Sequence, residues 1–369
     1  MIHSVSIKNF KSIKHLEDFK LGMITILIGA NGVGKSNFIS FFNFLKQIAT
    51  KNLQNHISSQ SGFDKVLFNN RTINELKGII EFENNKEKNR YYFKIEPSGT
   101  QRAYFSEEKV GYWTGAKWYE HSNISSGLPE TSLDDIISES RRLKGYPGIG
   151  GYVKDRLKSY EVYHFHDTSD KSPMKAMSKM IDVWRFDKNA ANIAPFLKNI
   201  QEKHPRNYFK IVKSIKSIAP FFDDFILVED PFAHGYIQLL WKAKGSDEPM
   251  YPFQLSDGTL RMIALTTLLL QPNLPETIII DEPELGLHPH AISKLSDMIQ
   301  VAAQNGCQVI VSTQSVTLMN HFSYEDIVTV DRVDDSSVFS RLNESQLEKW
   351  TEYYGLGDLW EKNVFGGTP

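Results

Sequence analysis

Two stretches of this 369-residue chain combine residue types and spacings that suit phosphate chemistry. The first, Gly29-Ala30-Asn31-Gly32-Val33-Gly34-Lys35-Ser36, sets two glycines around four residues and then adds lysine and serine, the P-loop pattern. Its glycines let successive backbone N–H groups point inward around phosphates; Lys35 reaches the β and γ phosphates, and the Ser36 hydroxyl is a magnesium ligand. Gly29, Asn31, Gly32, Val33, Gly34, Lys35, Ser36 and Asn37 are thus the candidate ATP-binding residues. The second stretch runs from Phe253 to Pro289. Ser256-Asp257-Gly258 opens an apolar helical run and offers a hydroxyl and free backbone N–H groups to an anion. Ile278-Ile279-Ile280 then reads as a buried parallel strand that delivers Asp281 and Glu282 to its C-terminal edge, a metal-plus-base carboxylate pair.

These groups need elements to hold them. Val5 to Phe10 alternates apolar with polar, and Met23 to Ile28 is nearly all apolar, so two strands are expected, the second leading into the P-loop. That strand before the loop and the helical spacing from Asn37 to Ile48 after it argue against a chance glycine-rich turn. From Gly78 to Tyr119 short alternating segments with polar turns such as Asn84-Asn85-Lys86 predict antiparallel hairpins. Tyr112, Trp113 and Trp118 suit a packed sheet face better than a base-stacking surface. Gly145 to Gly151 reads as a connector. Tyr163-His164-Phe165-His166-Asp167-Thr168 looks like a strand end. Two readings stand for His166 and Asp167: contact with the metal or attacking water, or an N-cap for a helix over Lys175 to Arg185. Short helices are expected from Ser172 to Ile218, a strand pair around Gly235 between Phe225 and Trp241, and an amphipathic helix from Ala291 to Ala303. Cys307 to Ser315 should be a buried strand ending in polar residues and Glu325 to Val330 another, with Asp331, Asp334 and Asp335 in a solvated turn.

Composition sets the class: 41% hydrophobic and 23% charged residues are those of an ordinary globular protein. Apolar runs fall short of the roughly 20 residues of a membrane span, so no membrane association and a cytoplasmic location are expected. One cysteine, Cys307, cannot staple the fold and should simply pack. A formal net charge of −2 gives no global basic signature for nucleic acid.

Taken together, Gly29 to Ser36, Leu255 to Thr259, Asp281 to Pro289 and Ser312-Thr313-Gln314-Ser315 resemble, in kind and order, the motifs of ABC-type ATPases. Their details are most similar to the soluble RecF, SMC and OLD branch, as is the opening Ile7-Lys8-Asn9-Phe10-Lys11-Ser12. The resemblance implies an α/β fold, a P-loop head of ABC-ATPase type. Its central sheet would be mostly parallel, with an antiparallel β subdomain and a helical lobe. The expected division is 1–167 with Walker A and the β subdomain, 168–252 with the helical lobe, and 253–369 with signature motif, Walker B and D-loop.

The resemblance also implies ATP and magnesium as ligands, ATP hydrolysis as the reaction, and a head-to-tail homodimer or higher oligomer with ATP between copies. Ser256, Asp257 and Gly258 of one copy would then cap, in trans, the γ-phosphate held by Lys35 of the other. Asp257 stands where transporters carry glycine, so its side chain should point away and leave the contacts to Ser256 and Gly258. Ser36 and Asp281 become the metal ligands and Glu282 the residue that polarises water. Gln314 occupies the place of the transporters' switch histidine, where it orients water without taking its proton; the alternative is a strand-terminal amide bonded to backbone. Lys11 faces either the phosphates or solvent, and His288 completes the candidate set. OLD-type relatives carry a nuclease domain after the ATPase, but only about 55 residues follow Gln314, so a separately encoded effector protein is the expected partner. A defence or toxin-regulating ATPase is favoured over a RecF/SMC-like DNA repair or genome-maintenance ATPase, and DNA stays among the candidate partners.

Overall fold

In the computed structural model all residues are described except 69–72, 85–86, 100, 123–126, 343–355, 363–365 and 368–369. Contacts group the chain into two compact units, Met1–Tyr160 with Tyr324–Pro369, and Glu161–Ser323.

The first unit begins with β1 (Ile2–Phe10), β2 (Ile13–Lys20), β3 (Ile24–Ile28), α1 (Lys35–Ala49) and α2 (Leu53–Ser59). It continues with β4 (Leu76–Asn84), β5 (Glu87–Ser98), β6 (Arg102–Trp113), β7 (Trp118–Ser122), α3 (Leu133–Lys144) and α4 (Gly148–Ser159). Antiparallel pairing builds a sheet in the order β2-β1-β4-β5-β6-β7. Its core is aromatic: α1 buries Phe38, Phe41, Phe42 and Phe44, and Phe41 meets Phe10 at 5.4 Å and Phe93 at 6.3 Å between ring centroids. Each such ring contributes about 1.5–3 kcal/mol by leaving water, which fixes α1, and with it the P-loop, against the sheet.

Strand β2 is not among the sequence expectations. Its apolar residues Ile13, Leu16 and Phe19 recur every third position, a helix-like spacing. A bulge explains it: Val5 pairs with Phe19 but Ile7 with Leu16, and Asp18 takes φ 43° where the extra residue is absorbed. The hairpin of β4 and β5 is as expected, pairing Asn84 with Glu87; Asn85 and Lys86 lie outside the described residues. Trp113 and Trp118 pack 5.6 Å apart and the Arg90 guanidinium lies 4.0 Å above Trp118, so these rings serve the sheet. The Gly145–Gly151 connector is shorter than expected, because α4 already starts at Gly148 behind Pro147.

The second unit holds β8 (Glu161–Tyr163), β9 (Ser178–Lys179), α5 (Ile193–Lys203), α6 (Pro205–Ile218) and β10 (Phe222–Ile226). After these come β11 (Tyr236–Ile237), β12 (Leu240–Ala243), α7 (Asp257–Leu270), β13 (Thr277–Asp281), α8 (Pro289–Gln304), β14 (Gln308–Thr313) and α9 (Val316–Met319). β13 pairs in parallel with both β8 and β14, and Ile278, Ile279 and Ile280 are all buried, as a strand covered on both faces requires. α7 is buried from Leu260 to Leu269, so its apolar sequence shows no clear face. Two expectations change here. No helix spans Lys175–Arg185: Ser172 caps a single turn over Pro173–Lys175, and Ser178–Lys179 is a strand. The expected strand pair around Gly235 is β10 with β12, while β11, directly after Gly235, pairs with β9.

The chain then returns to the first unit with β15 (Ile327–Val333) and β16 (Ser336–Arg341). β15 runs parallel to β3 and antiparallel to β16. It starts two residues later than expected, because Tyr324–Asp326 forms a 3-10 turn. Asp334 and Asp335 make the exposed turn with φ 45° and 64°, but Asp331 belongs to the strand, where its carboxylate accepts the Gly367 N–H at 2.7 Å.

Candidate nucleotide site

In the first unit the buried residues Ile26, Leu27 and Ile28 carry β3 into the P-loop. Gly34, which opens α1, takes φ 114°, and a Cβ there would lie 2.0 Å from the Ser337 hydroxyl, so only glycine fits. Ser337 donates to the Val33 carbonyl at 2.6 Å and shares a 2.6 Å hydrogen bond with Ser12, which accepts from the Asn37 side chain at 2.7 Å. The Arg332 guanidinium reaches the Gly32 carbonyl at 3.3 Å. Lys35 is buried and its ammonium donates to the carbonyls of Gly29 and Ala30 at 2.6 and 2.8 Å, spanning the loop from within. Asn31, Gly32 and Ser36 are exposed at the loop's mouth.

Lys11 is neither buried in a pair nor fully solvated. Its backbone N–H bonds to the Val66 carbonyl at 2.8 Å, φ is 49°, its ammonium lies 5.7 Å from the Phe10 ring centre, and burial lowers its pKa. It lines a cavity of about 760 Å³ whose wall is of mixed charge, with Lys14, Lys65 and Arg332 beside Asp64, Asp334 and Asp335.

In the second unit Glu282 stands where β13 ends. Its φ of 43° turns the chain sharply, and its N–H is held by the Ser312 carbonyl at 2.9 Å. The Gln314 amide donates to Glu282 Oε1 at 2.5 Å, so the glutamine's side chain addresses a carboxylate. Asp281 is buried and accepts from the Ser312 hydroxyl. His166 Nε2 lies 2.8 Å from the Asp281 carbonyl oxygen, so it touches the strand end through backbone. Asp167 is exposed and its carboxylate accepts from Ser169 N–H and hydroxyl, at 3.1 and 2.7 Å; it caps a local turn in place of the expected helix. Burial lowers the pKa of His164, against the pull of Asp281.

Ser256 caps α7, accepting from the Thr259 N–H at 3.2 Å, and Ser256 and Asp257 are both exposed. Gly258 is needed for close approach: a Cβ there would lie 2.5 Å from the Gly286 carbonyl oxygen. His288 is the N-cap of α8, its Nδ1 accepting from the His290 N–H at 3.3 Å.

Two buried charges in this unit are absent from the sequence-derived set. Arg261, one turn into α7, donates to the carbonyls of Phe165 and His166 at 3.0 and 3.3 Å. Glu284 accepts from the Thr313 hydroxyl at 2.6 Å and the Gln314 N–H at 3.0 Å, while burial raises its pKa against those bonds. The signal available for Arg261 was a lone cation inside an apolar helical run.

Residues 24–320 match the family described as "AAA domain, putative AbiEii toxin, Type IV TA system". The chain belongs to this family. It is 22% identical over 389 residues to the Old nuclease of Escherichia phage P2, covering 94% of this chain and 62% of that protein. The chain thus spans less than two thirds of that relative's length. A shorter similarity, 29% over 105 residues, covers 27% of the chain and 35% of the energy-coupling factor transporter ATP-binding protein EcfA2 of Staphylococcus epidermidis. Among solved structures, the SMC head bound to the C-winged helix domain of ScpA matches with a TM-score of 0.60 at 18% identity, covering 94% of this chain and 99% of that one. An SMC head with an extended coiled coil, from Pyrococcus furiosus, matches at 0.52 and 17%, covering 95% and 98%. At such identities the shared property is the fold. This AAA-family chain is therefore an ABC-type ATPase head of the RecF/SMC/OLD-like branch, with α/β architecture. Among the described residues no helix is long and apolar enough to cross a membrane.

Proposed function

We propose that this chain binds and hydrolyses ATP, pairs head to tail with a second copy around it, and uses that cycle to switch a partner effector protein in anti-phage defence or toxin control. The observation that carries the reading is the Gln314–Glu282 hydrogen bond at 2.5 Å, which aims a carboxylate and an amide together at one strand end. A carboxylate can draw a proton from water while an amide orients that water, the division of labour that phosphoryl transfer requires.

Ser36 and Asp281 are the residues that would hold magnesium, whose chemistry is to polarise and neutralise phosphate oxygens. Their donor set fits: a hydroxyl and a carboxylate are hard oxygen ligands, and magnesium binds through few protein oxygens plus phosphates. Lys35 would release its two loop carbonyls for the β and γ phosphates. Ser256 and the N–H groups at the start of α7, exposed on the second unit, would meet the γ-phosphate of the other copy, with Gly258 packing the turn onto Gly286.

The defence or toxin role draws on the family's description and on the similarity to a phage Old nuclease. A RecF/SMC-like DNA clamp has less support, because a net charge of −2 gives little long-range attraction to phosphates. Light scattering of Glu282→Gln with ATP and magnesium tests the pairing. A dimer mass is expected; a monomer at every concentration would overturn it.

A further inference from the structure

The carboxylate of Glu284 does more than close a turn. One of its oxygens, Oε1, takes both the Thr313 hydroxyl and the Gln314 N–H, at 2.6 and 3.0 Å. Its other oxygen, Oε2, is buried without a partner among the described residues, and the residue is only 9% exposed. A buried carboxylate with an unmatched oxygen lowers stability, so such a group marks a constraint beyond packing. What it constrains is visible: Thr313 is the last residue of β14, and Gln314 is the next one, whose amide reaches Glu282. We propose that Glu284 is a positioning residue that fixes the backbone of Gln314 so that its side chain meets Glu282. This rests on the ATPase reading above, since positioning matters only if Glu282 and Gln314 act on water.

The chain of contacts is directional. Glu284 lies in the same turn as Glu282, and the Leu285 N–H bonds back to the Glu282 carbonyl at 3.4 Å, so the two carboxylates move as one loop. Without the Oε1 acceptor, the Gln314 N–H loses the bond that ties it to that loop, and the backbone there is held less tightly. A displacement near 1 Å costs on the order of 100-fold in rate where orientation governs the reaction.

Glu284→Ala should leave the ATP dissociation constant within about threefold of the parent and lower kcat by about 10- to 100-fold. Glu284→Gln keeps an oxygen acceptor in place and should retain at least a third of kcat. In the double variant Glu284→Ala with Gln314→Ala, kcat should equal that of Gln314→Ala alone, because both act through one hydrogen bond. Parental kcat in Glu284→Ala, or a double variant that loses the product of both effects, would overturn the proposal. If Glu284→Ala fails to fold, Glu284→Met, which fills the space but removes the acceptor of the Gln314 N–H, carries the same comparison. A crystal structure of Glu284→Ala without nucleotide separates the two levels of inference: Gln314 still within hydrogen-bond reach of Glu282 refutes the positioning role whatever the activity. Absence of ATP hydrolysis in the parent chain refutes the ATPase reading instead.

Discussion

Replacing Glu282 by glutamine changes charge and almost nothing else. The position has φ 43°, a backbone state that asks as much of glutamine as of glutamate, so no new backbone strain arises. The bond from Gln314, 2.5 Å in the parent, passes from charge-assisted to neutral. That is a drop from about 1.5–3 to about 0.5–1.5 kcal/mol, a loss near 1 kcal/mol. Such a loss lowers Tm by only about 2–4 °C or less in a chain of this size. Losing a general base, by contrast, slows the chemical step about 10²- to 10⁴-fold, or about 2.7–5.5 kcal/mol of barrier. Rate and stability are thus predicted to part company. Phosphate release at saturating ATP, alongside a thermal melt of the same sample, reads both. Hydrolysis within threefold of the parent, with normal folding, would refute the assignment of Glu282 as the base, however well the pocket binds ATP.

Lys35→Ala should abolish measurable nucleotide binding by calorimetry, since the loop's central cation is removed; retained affinity would count against the P-loop assignment. Ser256→Arg should bind ATP normally but not hydrolyse it. Mixing it with Lys35→Ala should restore at most one composite site per pair, and full activity of Ser256→Arg alone would refute the trans arrangement. Cys307, buried and with its thiol pushed up to about 12, should resist iodoacetamide at pH 8 in the folded protein and react on unfolding; fast alkylation of the native state would show that the segment just ahead of β14 opens.

How much was legible follows from where each signal lives. Strands β3, β13 and β14 announce themselves because a strand covered on both faces must be apolar throughout, as Ile26–Ile28, Ile278–Ile280 and Val309–Val311 are. The P-loop is equally plain, since its glycines answer local demands. β2 was hidden because its bulge turns alternation into a period of three, and a bulge is a property of the pair, not of one strand. The absent helix over Lys175–Arg185 has a similar origin: Ser172-Pro173 is a good helix start, but Ser178 and Lys179 pair instead with Ile237 and Tyr236, nearly sixty residues ahead. Long-range pairing overrode a local preference there.

The site divides along the same line. Asp281 and Glu282 could be named in advance because they follow an apolar run, where a polar residue needs a reason, and Gln314 because it stands where the family resemblance places a switch residue. Arg261 and Glu284 could not, because what makes them informative is the identity of their partners. For Arg261 these are the carbonyls of Phe165 and His166, and His166 in turn reaches the carbonyl of Asp281. For Glu284 they are the hydroxyl of Thr313 and the N–H of Gln314. A motif read from spacing yields the groups able to touch a substrate; the groups that hold those in place bond mostly to backbone, which every residue type possesses. That is why the catalytic candidates are visible in one dimension and their supports only in three, and why the strongest test of this site lies at Glu284, which no phosphate need ever touch.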